Sequence, residues 1–161
     1  MAQFIHLADT KHRNLIGRNG IKRSRLGSGE RAVYAFPQTE DFVVSHQWMR
    51  ELRRFRSLNM IAVKFRIPDA EPVTIGKFNE THIEVTAAEA IGIARLHDDP
   101  LGLEVKIPRG INPKEIMSFY TPEKVSGWRY YPKAKGRKPC GCRYCQRGEP
   151  FSQRIREGFD D

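Results

Sequence analysis

The chain has 161 residues, 39% hydrophobic and 29% charged, with 28 Lys and Arg against 19 Asp and Glu for a formal charge of +9. That length and mixture fit one globular domain with a real core and exclude a disordered chain. No apolar run approaches the ~20 residues of a membrane-spanning helix, and no basic segment followed by a long apolar stretch opens the chain, so the expectation is a cytoplasmic protein with no membrane partner. The positive field favours a polyanion: nucleic acid, an acidic surface or a phosphorylated ligand, among which composition does not choose.

In chain order, residues 3–8 (QFIHLA) alternate as a strand, with Ile5 and Leu7 on one face and Phe4, His6 and Ala8 on the other. Asp9 and Thr10 cap a helix that carries Leu15 and Ile16 and stops at Asn19-Gly20. Residues 21–32 form a basic loop rich in glycine and serine, and 32–36 (AVYAF) a short strand ended by Pro37. Thr39 caps a second helix through Phe42, Val44, Trp48, Leu52 and Phe55. Its last turns hold Arg50, Arg53, Arg54 and Arg56, which suit the negative end of the helix dipole.

Residues 60–67 alternate as a strand, and 72–78 and 81–85 give two shorter ones. Thr86 and Glu89 form a capping box for a helix that continues to Leu96 and is broken by 97–100 (HDDP). Residues 103–107 (LEVKI) are a strand with Glu104 inside it, and Asn112-Pro113 opens a helical turn. IMSFY (116–120) and VSGWRYY (125–131) read as further strands, and 151–161 as a short helix or frayed end. Short strands with a few helices and no regular strand–helix alternation give an α+β class. Neither G-x-G-x-x-G nor a Walker A loop is present.

Three polar residues lie on strands between apolar neighbours: His6, Tyr34 and Glu104. If the neighbours face the core, all three fall on the face left free. In this order the surrounding motifs resemble the ADP-ribosyltransferase superfamily, in its His-Tyr-Glu branch. The residues that carry the resemblance are FIHLAD…NLIGRNGIK, AVYAFPQTEDFVVSHQW and GLEVKIPRGINPKEI, in patches across residues 3–120. The last is similar to the thymidine-modifying DNA ADP-ribosyltransferase toxins. Two departures stand out. Ala8 replaces the usual Ser or Thr two residues after the His, and Gly102 occupies the place of the second acid in the arginine-modifying version.

The resemblance implies an ADP-ribosyltransferase-like arrangement of split antiparallel sheets with flanking helices, and a glycosyl-transferring enzyme that uses NAD. Glu104 would stabilise the oxocarbenium-like transition state as the nicotinamide–ribose bond breaks. His6 would hydrogen-bond the adenosine-side ribose and Tyr34 would stack on nicotinamide. Arg13 and Arg18, with Lys22 and Arg31, are candidate cations for the pyrophosphate. The charge favours a nucleic-acid acceptor, bound through the helix arginines or residues 133–143 and stacked on Trp128, Tyr130 and Tyr131; a protein acceptor stays open. A toxin role is implied by resemblance alone.

Residues 1–131 form the expected transferase-like domain. Residues 132–161 form a basic, Cys-rich extension packed on it. Cys140, Cys142 and Cys145 have the spacing C-x-C-x-x-C, which in a reducing compartment points to structural zinc with a fourth ligand from elsewhere. The rival expectation is a non-enzymatic nucleic-acid-binding module with a zinc-stabilised basic tail, in which His6, Tyr34 and Glu104 are structural.

Overall fold

A computed structural model describes residues 1–25, 30–37, 48, 52, 59–78, 80–97 and 102–122. The chain divides into two compact units, Met1–Pro122 and Glu123–Asp161; all described residues belong to the first.

Seven strands build one sheet: β1 (Ala2–Asp9), β2 (Val33–Pro37), β3 (Met60–Ile67), β4 (Pro72–Lys77), β5 (Ile83–Thr86), β6 (Leu103–Ile107) and β7 (Ile116–Tyr120). Their order is β5-β4-β6-β2-β1-β3-β7, and each pairing is antiparallel. With helices α1 (Arg13–Asn19) and α2 (Ala87–Leu96) the class is α+β.

Register assigns the faces. Phe4 pairs with Phe65 and His6 with Val63; Val33 pairs with Ile107 and Ala35 with Val105; Val105 pairs with Ile75. These apolar residues form one core cluster with Ile16 of α1 and Ala87, Ala90 and Ala94 of α2. The three alanines recur at helical spacing, and their small side chains let α2 approach the sheet closely. A second, smaller cluster on the opposite pleat phase joins Ile5, Phe36 and Ala62 to Leu7 and Trp48.

β1 corrects a sequence expectation. Phe4 and Ile5 are consecutive yet 0% and 6% exposed, so this central strand is covered on both faces. Alternation therefore does not mark a free face here. His6 shares its pleat phase with Phe4, on the side of the larger core, and not the opposite phase of Tyr34 and Glu104.

Local signals set the element ends. The helix expected from Asp9 begins as a 3-10 turn over Thr10–His12, with the Asp9 carboxylate accepting from the Lys11 amide, and continues as α1. Gly20 ends it at φ 74°, and a Cβ there would lie 1.9 Å from the Ile111 carbonyl oxygen. Both halves of the Thr86–Glu89 capping box form, as does an Asn112–Glu115 box around the 3-10 turn at Pro113–Glu115. The strand expected at 81–85 occupies Ile83–Thr86. Of the helix expected over 39–56, Trp48 and Leu52 are helical and the remaining positions lie outside the described residues. The strand expected at 125–131 and everything beyond it also lie outside them.

Candidate functional site

β6 carries the site. Tyr34 pairs with Lys106, while Lys106 pairs with Thr74 and Glu104 with Gly76. Tyr34, Lys106 and Glu104 therefore share a pleat phase, opposite to Leu103, Val105 and Ile107, which enter the larger core. Among the described residues Glu104 is the buried polar one, at 5% exposure.

Its surroundings explain how a carboxylate tolerates burial. His82 Nε2 lies 3.2 Å from Glu104 Oε1, and Lys106 Nζ lies 3.7 Å from the same oxygen. Lys106 Nζ is also 3.4 Å from His82 Nδ1, and Nδ1 is 3.0 Å from the Glu80 carbonyl. Nδ1 thus lies between a carbonyl oxygen and an ammonium nitrogen. Nε2 faces Glu104 off the hydrogen-bonding line, buried and without a hydrogen-bond partner. Burial pushes the Glu104 carboxyl above the usual carboxylate range, and the positive charges of Lys106 and His82 oppose that rise.

Gly76 makes room for this arrangement. A Cβ on Gly76 would meet the Thr81 carbonyl oxygen at 2.8 Å and His82 Cγ at 2.9 Å. The bare Cα therefore lets the 81–82 segment rest on β4 and bring the imidazole to Glu104. Trp48 closes the other side: its Nε1 donates to the Leu103 carbonyl at 2.9 Å, and its ring meets Phe78 edge-on with centroids 6.1 Å apart.

His6 stands two strands away, with β2 between. Its Nδ1 donates to the Tyr34 carbonyl at 2.7 Å, leaving Nε2 as a lone-pair acceptor. Burial lowers its pKa, partly offset by that bond, so the ring is neutral near pH 7. The Tyr34 hydroxyl donates to the Glu30 carbonyl at 2.7 Å, which lays the ring back along the start of its own strand. Arg13 is carried elsewhere: its guanidinium sits 5.7 Å over the Phe119 ring on β7, four strand spacings, or about 19 Å, from β6. Arg18 is exposed on the last turn of α1. The structure thus gathers Glu104 and Tyr34 on one face, joins His6 to Tyr34 through the backbone, and leaves Arg13 at the far edge.

Cys140, Cys142 and Cys145 lie outside the described residues, as do the helix arginines, Trp128, Tyr130, Tyr131 and 133–143. Among the described residues no group of three or more His, Cys, Asp or Glu is placed to hold a metal ion, and no helix is long and apolar enough to cross a membrane.

Sequence reasoning missed His82, Lys106, Gly76 and Trp48. Lys106 was accessible, because a residue two positions from Glu104 on a strand shares its face. His82 reaches Glu104 only through the β4–β6 pairing, which no local pattern announces. Comparisons with protein-family models, curated proteins and solved structures returned no match.

Proposed function

We propose that this protein is an NAD-dependent ADP-ribosyltransferase that modifies a macromolecule, nucleic acid being the preferred acceptor. One observation carries the reading: the strands bearing Glu104, Tyr34 and His6 are consecutive neighbours, β6-β2-β1, although the Glu strand comes far later in the chain. Residue pairing between β1 and β2 covers Phe4–Pro37 and Ile5–Phe36. Beyond it, the His6 imidazole rather than a ladder bond meets the Tyr34 carbonyl. A seam opening at these two residues supports an ADP-ribosyltransferase-like split sheet.

In this reading Glu104 supplies the negative oxygen that faces the sugar as it turns cationic. His6 lies on the opposite face of the sheet from Tyr34 and Glu104, so in this reading it acts through its hydrogen bond to the Tyr34 carbonyl. Tyr34 offers a ring on the Glu104 face. Access requires His82 and Lys106 to move off the carboxylate; Lys106 then balances charge at the acid rather than at the pyrophosphate. The C-x-C-x-x-C spacing supports a structural zinc in the C-terminal unit.

The test is nicotinamide release from NAD by the whole chain, comparing the native protein with Glu104→Gln. Loss of a positioned carboxylate lowers the rate by roughly 100-fold or more. Equal release from both would remove Glu104 from the mechanism. NAD binding without turnover would identify a fold that has lost the reaction.

A second reading is favoured by a different observation. Glu104 is 5% exposed and closed in by His82 and Lys106, the arrangement of a structural ion cluster. A nucleic-acid-binding module without chemistry accounts for that closure and for the +9 charge. Absence of both NAD binding and release would select it.

A further inference from the structure

The open cleft of this unit lies at the other end of β6 from Glu104. Two loops frame it. Ile21 and Ile111 exchange backbone hydrogen bonds, N–H to O, at 2.9 Å in each direction, and Gly20 passes against Ile111 where no side chain fits. The result is a cleft of about 520 Å³, within the ~300–1,000 Å³ typical of ligand sites. Lys22, Arg23, Arg31 and Arg109 all line it.

The charges there are not equivalent. The Arg109 guanidinium is held by Glu71, 2.7 Å from Nε, and by Glu115, 2.6 Å from one terminal nitrogen. Arg109 therefore consumes both neighbouring carboxylates. Arg23 is steered by donating to the Pro108 carbonyl at 3.2 Å, which meets a hydrogen bond but no charge. Lys22, Arg23 and Arg31 have no carboxylate partner among the described residues. Three cations without a carboxylate partner among the described residues thus line a frame held by backbone bonds and a half-buried ion triad.

The lining also restricts the occupant. Its isoleucines are buried, Ile21 at 3% and Ile111 at 2% exposure, and among the described residues no aromatic side chain lines it. A protein partner would need an apolar or aromatic anchor, and a free nucleotide would need a wall for its base. A phosphate backbone needs neither. A dinucleotide reacting at Glu104 does not fit either, since its pyrophosphate lies one ribose from the scissile bond. Glu104 and Arg109 are separated by the rest of β6 and the bend at 108–109, a path of at most about 17 Å.

We propose that Lys22, Arg23 and Arg31 form a sequence-independent binding cleft for the phosphate backbone of a nucleic-acid strand. The inference deepens the nucleic-acid part of the proposed function and does not depend on NAD chemistry.

The test measures binding of a fluorescent single-stranded oligonucleotide to the full chain by anisotropy across a salt series, without NAD. The native protein is compared with Lys22→Ala/Arg31→Ala and with Lys11→Ala/Arg95→Ala, which removes the same charge elsewhere. Losing two phosphate contacts lowers the slope of log K against log salt by roughly 1.4, about 0.7 per contact on a single strand. The loss is the same for oligonucleotides of different sequence, with the melting temperature unchanged. An unchanged slope, or an equal fall in the control, would overturn the proposal. So would release of the oligonucleotide from the native cleft by NAD or inorganic pyrophosphate, because the cleft would then belong to the dinucleotide. Failure of the transferase reading appears separately, as absent nicotinamide release by the native protein.

Discussion

Substituting Gly76 by Ala tests how the acid site is built. The added methyl would stand 2.8 Å from the Thr81 carbonyl oxygen, 2.9 Å from His82 Cγ and 3.0 Å from His82 Cα. Two of these three are backbone atoms, so a rotamer change alone cannot relieve the contact and the 81–82 segment must shift. Overpacking of this kind costs about 1–3 kcal/mol, while replacing glycine within a strand returns about 0.5–1 kcal/mol. The net loss is about 0–2.5 kcal/mol, with a middle value of about 1, and at roughly 2–4 °C per kcal/mol for a domain of this size the melting temperature falls by up to about 10 °C. Displacement also lengthens the 3.2 Å approach of His82 to Glu104, so the imidazole resonances of His82 move in an NMR spectrum. Adding His82→Ala to Gly76→Ala removes the Cγ contact but neither backbone contact, and recovers only part of the loss. An alanine variant with native melting temperature and unmoved His82 resonances would refute the claim that the imidazole rests on a bare Cα.

Two further outcomes follow from the same geometry. The Glu104 carboxyl is raised by burial, so its contribution to stability is complete below its ordinary value of 4.5 and is lost as pH rises through the higher folded value. Glu104→Gln, which stays neutral, therefore gains stability relative to the native chain as pH climbs from 4 to 8; thermal melts showing a constant difference would contradict this. Thr86→Ala removes the side-chain oxygen that accepts from the Glu89 amide and the hydroxyl that donates to the Glu89 carboxylate. Chemical denaturation should then give a loss of about 1 kcal/mol.

Legibility in the sequence varied with how local each cause is. The α2 start was readable because Thr86 and Glu89 bond only to each other's backbone and side chains. The Glu104 strand was readable because Leu103, Val105 and Ile107 enter the core while Lys106 does not. His6 was misread because a strand buried on both faces carries no alternation to interpret. The Glu104 environment was illegible for another reason: His82 arrives from the loop after β4, and its position depends on a pairing between residues 28 apart, Gly76 and Glu104. Lys22 and Arg31 were visible as cations, but their lack of acidic partners emerged only once Arg109 was seen to hold both Glu71 and Glu115.

β6 sets the distance between the acid and the phosphate cleft. Its first half holds a carboxylate that is sequestered and raised in pKa by burial; the loops at its other end hold exposed cations with no carboxylate partner among the described residues. If Glu104 is catalytic as proposed, a substrate must displace the His82 and Lys106 side chains that cover it. If a strand is held in the cleft through its phosphates, it is anchored without occupying the acid, and one nucleotide is free to approach Glu104. If the two ends act together, oligonucleotide bound in the cleft accelerates nicotinamide release by the native chain and does not do so for Lys22→Ala/Arg31→Ala. If the chain only binds, the cleft retains its salt dependence and Glu104 stays a closed ion cluster whose removal alters stability alone.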